Sequence, residues 1–196
     1  MSELPLFPLQ TVLLPDGLLA LRVFETRYVD MVARCLRGTN RFGVVAIAKG
    51  AEVGAATTYD YGTSAEIVDW LEEPGGLLGI LAAGRESFRL LATRREDDGL
   101  YVDSVEWLES TASPKLPPVH GPLAALLERL LEPLAMYRGV AARLDDAAWV
   151  GGRLAELLPL KLTLKQSLLE TRDPLARLER LAALLEPRDG SGSAGS

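Results

Sequence analysis

One cysteine, one histidine and four lysines stand among 196 residues, and each scarcity removes a class of chemistry. Cys35 is alone, so no intrachain disulfide can form. His120 is alone as well, and no spacing offers it the partners of a metal site or a catalytic triad. The lysines, at 49, 115, 161 and 165, never follow a glycine, so the GK[ST] ending of a phosphate-binding loop is missing. Positive charge is short too. Lys+Arg number 21 against 27 Asp+Glu, a formal charge of −6 that repels phosphate backbones. Arg94-Arg95 is the only adjacent basic pair in the first half of the chain, and Glu96-Asp97-Asp98 follows at once. No apolar run approaches the roughly 20 residues of a membrane span. The N-terminus carries no basic and apolar leader of the signal-peptide kind. Together these absences predict a cytoplasmic protein with no cofactor, no membrane partner and little affinity for nucleic acid.

What is present is a core. Hydrophobic residues make up 48% and charged residues 24%, a balance suited to one soluble domain or two small ones. The most informative stretch is residues 4–28. Pro5 and Pro8 fix φ and remove two donors, which restricts residues 4–9 to an edge strand or an extended lead-in. Pro15-Asp16-Gly17 is turn chemistry, with Gly17 as the residue free to take positive φ. After Val23 the apolar period lengthens from 2 towards 3.6. Phe24, Tyr28, Met31, Val32, Cys35 and Leu36 then share one helix face, ended by Gly38 behind Arg34 and Arg37.

The stretches LPLFPL (4–9), LLPDG (13–17) and LRVFETRY (21–28) resemble the N-terminal, substrate-binding domain of the Lon protease family. The resemblance continues through Phe42-Gly43, Gly62-Thr63-Ser64, and Gly84 with Phe88-Arg89, and touches the C-terminal helices near Lys165-Gln166-Ser167. On this resemblance Pro5, Phe7, Pro8, Pro15, Gly17, Phe24, Glu25, Arg27, Tyr28, Phe42, Gly43, Gly62, Phe88 and Arg89 are the structural motif. Three positions depart from it. Ala20 and Thr26 replace prolines common in the family, and Ser87 stands where an arginine is usual. The resemblance implies a PUA-like barrel and a role in recognising unfolded protein. It does not imply peptidase activity, which belongs to ATPase and Ser–Lys modules absent from this sequence.

The coarse pattern is α+β. Residues 1–112 read as a small β-barrel with one inserted helix. Strands are expected near 41–48, 57–72, 77–83, 88–93 and 101–108, with a turn at Glu73-Pro74-Gly75-Gly76 and a hairpin at Asp97-Asp98-Gly99. Residues 113–121 read as a proline-stiffened linker. Residues 122–187 read as a four-helix subdomain. Pro122 starts the first helix, Pro133 kinks it and Gly139 ends it. Asp145 caps the second, Thr163 with Gln166 boxes the third, and Asp173-Pro174 starts the fourth. Residues 188–196 read as a disordered Gly/Ser tail.

No constellation for catalysis emerges. Glu72-Glu73, Asp97-Asp98 and Asp145-Asp146 are adjacent acids at turns or helix starts, where they face solvent rather than a cleft. Cys35 reads as a buried small hydrophobe and His120 as an exposed loop residue. Glu25 reads as a carboxylate accepting N–H bonds at the helix start, and Arg27 as a fork onto the lead-in, with a charged recognition site as the other reading. Leu13, Leu14, Leu18 and Leu19 flank the 15–17 turn. They are either tucked into the core or displayed as a patch for exposed apolar polypeptide segments. The dense leucines of 122–187 could also form a homodimer seam. An RNA- or nucleotide-binding barrel is the competing function; an excess of acid and no basic, aromatic stripe argue against it.

Overall fold

The computed structural model describes residues 2–52, 56–73, 77–110 and 112–186. Among them, six strands and five α-helices form a mixed α+β architecture. In chain order these are β1 (Ser2–Leu9), β2 (Leu18–Val23), α1 (Thr26–Arg37), β3 (Arg41–Gly50), β4 (Ala56–Glu73), β5 (Leu77–Arg95) and β6 (Tyr101–Trp107). Then follow α2 (Gly121–Leu131), α3 (Ala147–Leu157), α4 (Leu162–Glu170) and α5 (Pro174–Leu185), with 3₁₀ turns at Pro118–His120 and Ala135–Tyr137. The expected turn at Pro74-Gly75-Gly76 and the Gly/Ser tail lie outside the described residues. No helix among the described residues is long and apolar enough to cross a membrane.

The strand order is β2-β5-β4-β3-β1-β6, and β5 also pairs with β6, so the ladder returns on itself. The length of β5 allows this. Leu78 to Ala83 pair with β2, Phe88 to Arg95 pair with β6, and β4 lies along Leu77 to Arg89. The sequence divides this stretch into two strands around Gly84-Arg85-Glu86-Ser87. The structure runs straight through, because β4 pairs with Gly84 and Ser87 and a bulge between Thr63 and Ala65 absorbs the mismatch. Ladder bonds outweigh the weak strand preference of those four residues.

The lead-in is not an edge. β1 lies between β3 and β6. Its two ladders are staggered: Ser2 to Leu6 pair with β6, and Leu6 to Leu9 pair with β3. Pro5 therefore belongs to one ladder and Pro8 to the other, so each missing N–H can fall on a side with no partner strand. Parallel pairing of β1 with β3 needs a long crossover, and β2 with α1 supply it.

Three apolar clusters result. Leu4, Leu6, Val45, Phe88 and Val105 meet inside the ring of strands. Phe7, Phe42 and Val44 pack with Tyr28, Met31, Val32 and Cys35 of α1. The expected α1 face is narrower than its apolar pattern: Phe24 precedes the helix and is exposed, and Leu36 is half-exposed. Val12, Leu14 and Ala46 join Leu127, Trp149, Leu154, Leu168, Leu178 and Leu181 of the C-terminal helices. The leucines of α2–α5 are thus largely used internally.

Local details of those helices differ from the pattern. Pro133 lies past the end of α2 and does not kink it, since a proline cannot supply the next helical N–H. Asp146, not Asp145, caps α3 by accepting from the Trp149 N–H at 2.8 Å. Lys161 precedes α4 and no capping box forms; the Gln166 side chain donates instead to the Tyr61 carbonyl at 3.2 Å. Asp173 caps α5 through the Leu175 N–H at 2.9 Å. Residues 113–121, expected to be a proline-stiffened linker, are bonded to the segment that leads into α3. The Leu116 N–H donates to the Asp145 carbonyl at 2.7 Å, and the Ala147 N–H to Pro114 at 3.0 Å. His120 is buried in its 3₁₀ turn, not exposed.

Candidate functional site

The LPDG turn is where sheet and helices are joined. The Gly17 N–H donates to the Leu14 carbonyl at 3.0 Å, and Asp16, not Gly17, takes the left-handed conformation at φ 64°. This is the type II pattern, with proline second and a short polar side chain third. Gly17 is required for another reason: a Cβ there would lie 2.2 Å from Glu156 Oε1. Gly84 plays the matching part on β5, where a Cβ would lie 2.2 Å from the Leu14 carbonyl oxygen. Asp16 donates its N–H to the Gly84 carbonyl at 2.9 Å, and Gly84 returns one to Gly17 at 2.8 Å.

From the helical side, Arg153 and Glu156 close on the same turn. Arg153 is wholly buried; its Nη2 reaches the Pro15 carbonyl at 3.0 Å and its Nε the Glu156 carboxylate at 2.7 Å. Glu156 accepts the Leu14 N–H at 2.6 Å. Burial pushes the Glu156 carboxyl above its ordinary range, against the pull of Arg153 and of the Leu14 N–H. The Leu18 N–H donates to the Tyr137 hydroxyl at 3.1 Å. Leu13 and Leu14 are therefore core residues, and the displayed reading does not describe them. Leu18 and Leu19 keep partial exposure, with Leu19 packed on the α1 cluster.

The other motif residues divide by role. Phe88 fills the centre of the ring, and Gly43 and Gly62 make room for it: a Cβ on either would meet the Phe88 Cζ at 2.8 and 2.7 Å. Phe7 stacks on Tyr28 with centroids 4.0 Å apart and tilts against Phe42 at 6.0 Å. Glu25 does not cap α1 with its side chain. It pairs with Arg27 at 2.8 Å, and Arg27 donates to the Gly99 carbonyl at 3.1 Å. Arg27 thus ties α1 to the β5–β6 hairpin rather than to the lead-in. Arg89 pairs with Glu106 across β5 and β6 on the exposed surface. Cys35 is buried, its thiol donating to the Arg41 carbonyl, and burial pushes it up to about 11. Burial likewise pushes the Tyr28 hydroxyl up to about 12.

Two surface features among the described residues bear on the site. A cleft of about 560 Å³ runs between the strands and the helices, lined among others by Gly62, Arg85, Ser87, Arg143, Gly152 and Arg177. Its charges are largely matched: Arg85 pairs with Glu66 at 2.6 Å, and Arg143 pairs with Asp16 and Asp146. Ser87, the departure from the family's arginine, is part of this lining.

The second feature is apolar. At the outer end of the β2–β5–β4 ladder Phe24 is 65% exposed, Trp70 60%, Val68 45% and Leu77 37%. The register sets Phe24 beside Leu77 at the end of this ladder, whereas Trp70 pairs with Ile80 three residues further along β5, on the other side of the pleat. A hollow of about 460 Å³ beside Trp70 includes Ala20, Leu21 and Leu81. The sequence does not single out Trp70 or Val68, since a strand's period cannot say where its cover ends. Among the described residues, no group of three or more His, Cys, Asp or Glu is arranged to hold a metal ion.

Comparison with known proteins agrees with that geometry. The model of the ATP-dependent protease La (LON) substrate-binding domain matches residues 3–186. Lon protease 2 of Myxococcus xanthus is 28% identical over 191 residues, 93% of this chain and 23% of the relative. Protein cereblon of Xenopus tropicalis is 31% identical over 117 residues, 58% of this chain and 25% of the relative. The chain thus spans about a quarter of the length of these curated relatives. A crystal structure of a Lon N-terminal domain protein from Xanthomonas campestris superposes with a TM-score of 0.77 at 43% identity, over 93% of this chain and 98% of that one. The N-terminal domain of Mycobacterium avium complex Lon protease shares the fold, with a TM-score of 0.65 at 17% identity over 93% and 97%. With the family model covering nearly its whole length, this chain belongs to the Lon substrate-binding domain family.

Proposed function

We propose that this chain is a non-catalytic, cytoplasmic polypeptide-binding domain: a PUA-like barrel over residues 1–112, a linker over 113–121 and a four-helix subdomain over 122–187. It holds exposed apolar segments of unfolded proteins. The observation that carries this reading is the exposure of four large apolar side chains, Phe24, Val68, Trp70 and Leu77, on the β2–β5–β4 part of the sheet. Apolar area left in water costs about 25 cal/mol per Å² relative to burial, and aromatic side chains dominate binding hot spots. Family membership supports the same reading, since its description is that of a substrate-binding domain.

The test is binding to reduced, carboxymethylated lactalbumin, which cannot fold, with native lactalbumin as control. The unfolded form is expected to bind at least about tenfold more tightly, a difference of about 1.4 kcal/mol. Equal affinity for the two forms overturns the proposal. A single-stranded RNA competitor that displaces the unfolded chain would favour the nucleic-acid reading instead.

A further inference from the structure

The terminal strand β2 carries a row of backbone groups that points away from its neighbour. Two observations fix the direction. Gly84 donates its N–H to the Gly17 carbonyl at 2.8 Å, so the 17:84 pair is of the kind bonded to β5, although the Gly17 N–H itself stays in the turn. In an antiparallel ladder such pairs recur every second residue, at 19:82, 21:80 and 23:78. Leu18 falls between them, and its N–H donates outward, to the Tyr137 hydroxyl at 3.1 Å. The two-residue repeat then turns the N–H and carbonyl of Ala20 outward as well. Tyr137 shows what this edge accepts: its hydroxyl oxygen takes the Leu18 N–H as the carbonyl of a further strand would.

Edges of this kind are usually blunted by proline, lysine or a covering element. Among the described residues β2 pairs only with β5, its sequence Leu-Leu-Ala-Leu-Arg-Val holds one charge and no proline, and Ala20 is exposed. Position 20 is also one where the Lon resemblance has proline and this chain does not. The exposed Phe24 directly follows β2.

We infer that an unfolded polypeptide segment binds by adding a strand to the open edge of β2, its backbone paired with Ala20 and an apolar side chain reaching Phe24 at the end of the strand. This rests on the polypeptide-binding reading above and names its mode. Main-chain bonds would supply affinity without sequence preference, which suits a site that must accept many unfolded chains.

The experiment uses the same carboxymethylated lactalbumin. Amide exchange of the whole chain is followed by NMR with and without this probe. The Ala20 amide is expected to slow at least about tenfold, while Leu19 and Leu21, already bonded to β5, change little. In parallel, Ala20→Pro removes the outward donor without touching the β5 ladder, and binding is expected to weaken at least about tenfold. Binding with no protection at Ala20 overturns strand addition and leaves polypeptide binding standing. Full binding by a folded Ala20→Pro variant does the same. No binding by the wild-type chain overturns both readings. Should Ala20→Pro fail to fold, the exchange result on the wild-type chain decides.

Discussion

Single atoms decide several positions in this domain. Gly43 and Gly62 could be taken for turn or bulge residues, yet neither has positive φ; the Phe88 ring, with Leu4 and Leu6, occupies the space of a Cβ at Gly43, and the Val44 carbonyl together with Phe88 occupies it at Gly62. Gly43→Ala is expected to cost about 1–3 kcal/mol in urea unfolding. Combined with Phe88→Leu it should cost less than the sum of the single changes, because the smaller side chain relieves the contact. Tyr28 and Cys35 make the stability depend on pH in a defined direction. Their folded pKa values, about 12 and about 11, lie above the ordinary 10.0 and 9.0. The unfolded chain therefore loses these protons first, and stability is full below pH 9 and falls as pH rises from about 9 to 12. Tyr28→Phe keeps the ring on Phe7 and removes one titration, so its unfolding midpoint should fall less steeply between pH 10 and 12 than that of the wild type.

The meeting of elements at the LPDG turn explains more of the sequence than any one helix does. Arg153 and Glu156 lie three apart on α3, a spacing that reads as an ordinary surface pair. Here Arg153 is wholly buried and the pair holds the backbone of residues 14 and 15. Removing one charge leaves the other unpaired in the interior. Glu156→Gln or Arg153→Met should each cost about 3–5 kcal/mol, and the double change Arg153→Met, Glu156→Leu less than the sum, as thermal melts would show. The cap on α3 is a smaller effect. Asp146→Ala should cost about 1 kcal/mol, whereas Asp145→Ala should leave the melting temperature nearly unchanged. Thr163→Ala should also be close to neutral, because the box expected there does not form.

For the whole molecule, core and surface separate cleanly enough to test. Phe24 and Trp70 are largely exposed, so Phe24→Ser with Trp70→Ser should leave the melting temperature within about 1 °C while abolishing capture of unfolded lactalbumin. A melting temperature that drops in step with binding would move both residues from recognition to packing. Arg27→Ala is the useful contrast. It unties α1 from the Gly99 carbonyl and should lower stability, with binding affected only as far as folding is.

The order of residue types along the chain was enough to determine the α+β pattern, the start of α1 after Val23, the 97–99 hairpin, a helix start at Pro122, the cap at Asp173, and the likeness of 4–28 to a known family. Those features depend on neighbours within a few residues, where period and turn chemistry act. The tertiary structure decided what depends on distant partners. Two staggered ladders turned a proline-bearing lead-in into an interior strand. Contact with β4 fused two expected strands into β5. Packing made Leu13 interior in the α1 cluster and Leu14 in the cluster around α3, buried His120 in its 3₁₀ turn, and left Trp70 outside. Period alone marks a side chain as apolar; only the position of other elements determines whether water can reach it.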